Sequence, residues 1–162
     1  MNTQFAQATT VPVVKTRAEI EDTLGRYGAD SFAVGMEPGR AMLMFRIKGS
    51  TGRNVAVRMI LPLPEINEKQ FQRRPWRSTF KTCTPEETRA LWEQACRSRW
   101  RCLLLVVKAK LEAVACGIST IEREFLADIM TQNGMTVGEQ VIGQLEAMPA
   151  GGRLLLGMGS ES

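Results

Sequence analysis

The chain has 162 residues with a net charge of +4, 44% of them hydrophobic and 23% charged, enough apolar side chain for one packed domain and too much for wholesale disorder. It has no histidine, which removes the commonest general base, proton shuttle and metal ligand. Its four cysteines, Cys83, Cys96, Cys102 and Cys116, show no C-x-x-C spacing, so neither a zinc site nor a dithiol redox site is expected.

In chain order, Met1–Thr10 is polar and lacks the basic and apolar regions of a secretory signal. Residues 1–14 are expected to form a flexible segment, 15–148 a single domain and 149–162 a flexible Gly-rich tail. Ser or Thr followed three residues later by Glu is a capping box, and it occurs at Thr16…Glu19, Thr84…Glu87, Ser119…Glu122 and Thr136…Glu139. The boxes predict helices over about 17–26, 85–116, 120–131 and 137–147, with Pro85 at the first position of the long one and Gly117 as its stop. Between the first two helices the pattern changes to period two. Ala41, Leu43, Phe45 and Ile47 alternate with Met42, Met44, Arg46 and Lys48. Val55, Val57, Met59 and Leu61 alternate with Asn54, Ala56, Arg58 and Ile60. Half-buried strands follow at 41–48 and 53–61, with a shorter one at 31–36. Glu37-Pro38-Gly39-Arg40 and Gly49–Gly52 supply the turns, and Pro62 and Pro64 end the sheet. The fold class is α+β, in the order α-β-β-β-α-α-α: a three-stranded antiparallel meander packed on helices, one of them long and basic.

The longest apolar run, Cys102–Val107, is far short of the roughly 20 residues a membrane helix needs. With four cysteines and no secretory signal, the chain is expected to stay in the cytoplasm with reduced thiols and no membrane contact.

Charge is segregated along the chain. Residues 1–60 carry eight basic and five acidic groups, 61–120 eleven and six, and 121–162 two and six. A basic middle points to an anionic partner, while the acidic end could neutralise the basic face of a neighbouring copy in a homo-oligomer. The sharpest local signal is Lys69–Lys81, where five cations and no anion interleave with Phe71, Trp76 and Phe80. Cations that neutralise phosphates beside aromatic planes that stack on unpaired bases suit single-stranded nucleic acid. As an ordinary connecting loop, the same stretch would pack its aromatics on the domain. On the long helix Arg97, Arg101 and Lys108 fall within roughly 40° of one another. Arg46, Lys48 and Arg58 share the polar sheet face. Together they would line a basic groove, but with Met42 and Met44 at the exposed strand positions base-specific readout is not expected.

Catalysis is not expected. Serine and cysteine lack a histidine partner, Asp22, Asp30 and Asp128 are scattered, Glu122 and Glu124 lie on different helix faces, and there is no phosphate-binding G-x-x-x-x-G-K-S/T loop. No cofactor or metal is implied.

Two resemblances carry further expectations. Trp92-Glu-Gln-Ala-Cys-Arg97, Lys108-Ala-Lys-Leu-Glu112, Gly117-Ile-Ser-Thr120 and Asn133-Gly134 with Thr136-Val-Gly-Glu139 are similar to stretches in uncharacterised proteins of bacteriophages and prophages, which implies a mobile-element setting and no particular activity. The helix, three-stranded meander and long basic helix also resemble the β-β-β-α core of single-strand annealing proteins, ring- or filament-forming proteins that hold DNA in a basic groove. That likeness implies DNA-binding roles for Arg46, Lys48 and Arg58 on the sheet and for Arg97, Arg101 and Lys108 on the helix. Double-stranded-RNA-binding modules share the α-β-β-β-α order, but they need a basic start to the last helix where this chain has Pro85-Glu86-Glu87.

The expected protein is a non-enzymatic, sequence-tolerant binder of nucleic acid, DNA rather than RNA and single strands by preference, oligomeric and serving annealing or recombination. Its interface residues are Arg46, Lys48, Arg58, Lys69, Arg73, Arg74, Trp76, Arg77, Lys81, Arg97, Arg101 and Lys108. The rival reading is a small phage protein that docks on a host or phage protein through its basic surface, with Met42, Met44 and Ile60 as the contact patch.

Overall fold

The computed structural model describes residues 9–76 and 79–147. Helix α1 runs Val13–Arg26 and is followed by an antiparallel meander of β1 (Ala29–Glu37), β2 (Arg40–Lys48) and β3 (Asn54–Pro62), in that spatial order. A short helix α2 (Lys69–Gln72) leads into a separate hairpin of β4 (Arg73–Trp76) and β5 (Thr79–Thr82). The long helix α3 spans Pro85–Ala115, and α4 (Ile121–Glu124) and α5 (Val137–Glu146) complete the chain as described. This is an α+β domain with α1 and α3 laid on one face of the main sheet. Among the described residues no helix is long and apolar enough to cross a membrane.

The sheet follows its period-two pattern. Ala41, Leu43, Phe45 and Ile47 face inward with Val57, Met59 and Leu61, while Met42, Met44, Arg46 and Lys48 face away from the helices. The Pro38-Gly39 turn sets the β1–β2 register, Gly39 taking φ 75°, a left-handed conformation that costs glycine nothing. At 31 residues α3 is about 46 Å long, and it buries Trp100, Leu103, Leu104, Val107 and Leu111. Leu104 sits in the middle of the basic stripe yet is 1% exposed, because α1 covers that side of the helix with Ile20 and Leu24.

Several local expectations are corrected. The Thr16…Glu19 box does not form. The helix starts four residues earlier, with Pro12 ahead of it, and Thr16 lies within the inward stripe that includes Ile20, Thr23 and Leu24. Spacing of three and four residues along a buried face outweighs a capping signature. The Thr84…Glu87 and Thr136…Glu139 boxes form as reciprocal pairs. At the third site the cap is Thr120 instead of Ser119, its hydroxyl accepting the Arg123 N–H at 3.3 Å, and the Glu122 carboxylate accepts the Ser50 N–H at 2.8 Å instead of closing a box. The helix expected over 120–131 is one turn long. After a 3-10 turn at Leu126–Asp128 the chain extends along the outer edge of β3, where the Met130 N–H donates to the Ala56 carbonyl at 2.8 Å. Burial of Phe125, edge-on to Phe45 at 5.4 Å, anchors the segment where that strand edge offers it backbone bonds.

The burial pattern sets an expectation for unfolding. Leu104→Ala should cost about 3 kcal/mol by urea denaturation, whereas Val106→Ala, on the exposed side of the same helix, should change stability by less than about 0.5 kcal/mol.

Candidate nucleic-acid interface

The Lys69–Lys81 segment is folded rather than looped. Phe71 is buried and seats α2, so only two of its three aromatics face solvent. In the hairpin Arg74 is opposite Lys81 and Trp76 opposite Thr79, while Arg73 pairs with Thr82 and Pro75 with Phe80. Side chains alternate across a strand pair, so Arg74, Trp76 and Lys81 share one face of the hairpin and Arg73 shares the other with Phe80. The Trp76 ring lies 5.8 Å from the Arg74 guanidinium carbon and 5.6 Å from Lys81 Nζ. Both distances are within cation–π range. Trp76 is 49% exposed and Phe80 71%. Arg74 also pairs with Glu87 in the first turn of α3 at 2.9 Å, which tethers the hairpin to the body. Lys69 is exposed at the start of α2, and Arg77 falls outside the described residues.

The remaining cations are distributed over opposite sides of the domain. On the outer sheet face Lys48 is exposed and Arg46 pairs with Asp30 at 2.8 Å, an interaction that holds the Asp30 carboxyl below its ordinary range. Arg58 is mostly covered, donating to Glu139 at 2.5 Å and to the Gly134 carbonyl at 3.1 Å. It ties β3 to α5. The helical cations are on the other side of the sheet, turned to α1: Arg101 meets Glu19 at 2.6 Å, and Lys108 lines a surface cleft with Glu19, Asp22, Thr23 and Arg26. Arg97 is held by the Gln94 side chain at 2.7 and 3.1 Å. No single groove brings Arg46, Lys48 and Arg58 together with Arg97, Arg101 and Lys108, because the sheet stands between the two sets and α1 lies against the helical stripe. The structure brings together the hairpin group instead.

Phe80 is the functional candidate that composition alone undervalued. Its signal is the two-residue period of a strand, which puts Phe80 on the hairpin face opposite Lys81 once the hairpin is recognised. The other two tryptophans have structural posts. Trp100 is 1% exposed beneath the Arg17 guanidinium, and the Trp92 indole N–H donates to the Pro64 carbonyl at 2.7 Å. Lys110 donates to the Glu124 carbonyl and lies 5.1 Å from the Phe125 ring centroid. Its aliphatic stem lets it snorkel across the core margin. Among the described residues no group of three or more acidic or cysteine side chains is placed to hold a metal ion.

No protein-family model, curated protein or solved structure matches this chain.

Burial pushes the Asp128 carboxyl above its ordinary value, and the nearby Lys110 charge opposes that shift only in part. The folded state therefore holds this proton more tightly than the unfolded chain. Stability should rise as pH falls through the raised folded value, and the cost of the ionised form should be fully present above it. Asp128→Asn is expected to raise the melting temperature at pH 7, and thermal scans should show that gain disappearing in acid below the ordinary carboxylate range.

Proposed function

We propose that the protein is a non-enzymatic, sequence-tolerant nucleic-acid-binding protein whose gripping element is the β4–β5 hairpin, with single strands preferred over duplex and DNA over RNA. The observation that carries this reading is the half-exposed Trp76 ring within cation–π range of the cross-strand pair Arg74 and Lys81, backed by an exposed Phe80 on the opposite hairpin face. Aromatic planes suit bases that are unpaired, and the neighbouring cations suit the phosphates that accompany them. Arg73 and Lys69 extend the positive charge along the segment, whereas Arg58 and Arg101 are occupied within the domain. A mobile-element setting, a cytoplasmic location in the host and service in annealing or recombination rest on the sequence and its resemblances.

A second reading is favoured by a specific observation on the outer sheet face. Ile60 is exposed, Met42 and Met44 are half-buried, and a cleft of about 340 Å³ opens between Ala33, Met44, Ala56 and Met130. That surface suits a protein partner, with Arg46 and Lys48 contributing charge.

Fluorescence anisotropy of a labelled single strand of about 40 nucleotides and of its duplex, at low and high salt, separates the two. The nucleic-acid reading expects tighter binding to the single strand and a log–log salt slope of roughly −0.7 per phosphate contacted. Trp76→Ala combined with Arg73→Ala and Arg74→Ala should weaken binding roughly tenfold or more while the fold persists by circular dichroism. Arg101→Ala with Lys108→Ala should bind as the wild type does. Absence of binding at low salt, or an unaffected triple variant, would reject the hairpin as the site.

A further inference from the structure

Strand β1 is the outer strand of the main sheet, and among the described residues its second edge meets no backbone partner. The two-residue turn at Pro38-Gly39 makes Glu37 and Arg40 a mutually hydrogen-bonded pair, so every second residue back along the strand (Gly35, Ala33, Ser31) aims its N–H and C=O at β2. Phe32, Val34 and Met36 aim theirs outward. Carried across the sheet, the same parity turns the Ala56 carbonyl out of β3, and that is where the Met130 N–H meets it at 2.8 Å. The far edge of β3 is therefore capped at this point, and that of β1 is open.

The side chains of the same three residues are also incompletely covered. They lie on the helical side of the sheet, opposite Phe45, Leu43 and Ala41, yet Phe32 and Val34 are only half-buried and Met36 is 57% exposed. No residue of β1 is buried, although β2 and β3 bury seven between them. The usual guards of an open edge, lysine or proline within the strand, are missing. Its two acids are neutralised from β2, Asp30 by Arg46 at 2.8 Å and Glu37 by Arg40 at 2.5 Å. The one bulge lies at its start, between Ala29 and Ser31, and leaves 32–36 regular.

We propose that this edge pairs with itself: β1 of a second copy adds antiparallel about a two-fold axis at Val34, giving one continuous six-stranded sheet. The outward-facing residues fix the register. Val34 meets Val34 of the second copy and Phe32 meets its Met36, so the six outward N–H and C=O groups of each strand find partners. On the helical side this places aromatic against thioether and aliphatic against aliphatic, pairs that favour cross-strand contact. On the outer side Ala33 meets Gly35, both small, and Glu37 meets Ser31, so no like charges face one another. An isologous pairing of this kind closes as a dimer. The inference is independent of nucleic-acid binding, since the hairpin takes no part in it.

Sedimentation velocity of the full chain without nucleic acid, over a roughly hundredfold concentration range, should show a monomer–dimer equilibrium. Amide exchange followed by NMR should show protection of Phe32, Val34 and Met36 growing with concentration while Ser31, Ala33 and Gly35 stay protected throughout. Val34→Pro removes an N–H that the monomer leaves unbonded, and Met36→Lys places a charge at an exposed edge position; both should be monomeric with an unchanged circular dichroism spectrum. If Val34→Pro misfolds, Met36→Lys still decides the matter. A monomer at every concentration, a dimer that persists in folded Met36→Lys, or a dimer whose three outward amides exchange freely would overturn the proposal.

Discussion

The structure depends on the inner face of the sheet being sealed by α3 and α1. Leu43, Phe45 and Val57 from the strands meet Trp100, Leu104 and Val107 from α3, with Ile20 and Leu24 wedged in from α1. Strand side chains alternate without slack, so committing this face to the helices commits Met42, Met44, Arg46 and Lys48 to the other. The same burial rotates α3 until Arg101 meets Glu19 and Lys108 sits beside α1. One packing decision thus determines which cations compensate acids inside the domain and which remain for a partner.

The hairpin escapes that constraint. It buries none of its own residues, leans on α2 through Phe71 and on α3 through the Arg74–Glu87 pair, and keeps its aromatics outside. Exposed aromatic surface costs free energy in water, and a fold that keeps Trp76 and Phe80 outside does not recover it internally. The cations within cation–π range of Trp76 offset part of that cost. Binding surfaces carried on connecting segments over a rigid body are common, because the body holds the geometry and the connection is free to vary.

Much of the fold was legible from local pattern. Period-two alternation placed β2 and β3 and assigned both faces correctly, and two capping boxes marked the starts of α3 and α5. The misses share a cause. Thr16 carried a capping signature, yet its place in a buried stripe was worth more to the chain. The helix expected after Ser119 yielded to backbone bonds along β3, a partner more than sixty residues away in sequence. Arg58 looked like a free surface cation because Glu139, which holds it, is 81 residues further on. The hairpin at 73–82 was hidden by a Pro75 within its first strand and by an Arg-Ser link with none of the glycine or asparagine that announces a tight turn. Local signals reported local structure, and only long-range pairing could say which surface charges were taken.

The three indoles sit at three depths, and this makes the chain its own reporter. Trp100 is sealed in the core, Trp92 is fixed by a backbone carbonyl, and Trp76 is half-exposed beside two cations. A small neutral quencher such as acrylamide reaches the third far more readily than the first. Emission from the intact protein therefore divides into a blue, shielded part that follows the fold and a red, accessible part that follows the hairpin, and the two can be watched separately without any label.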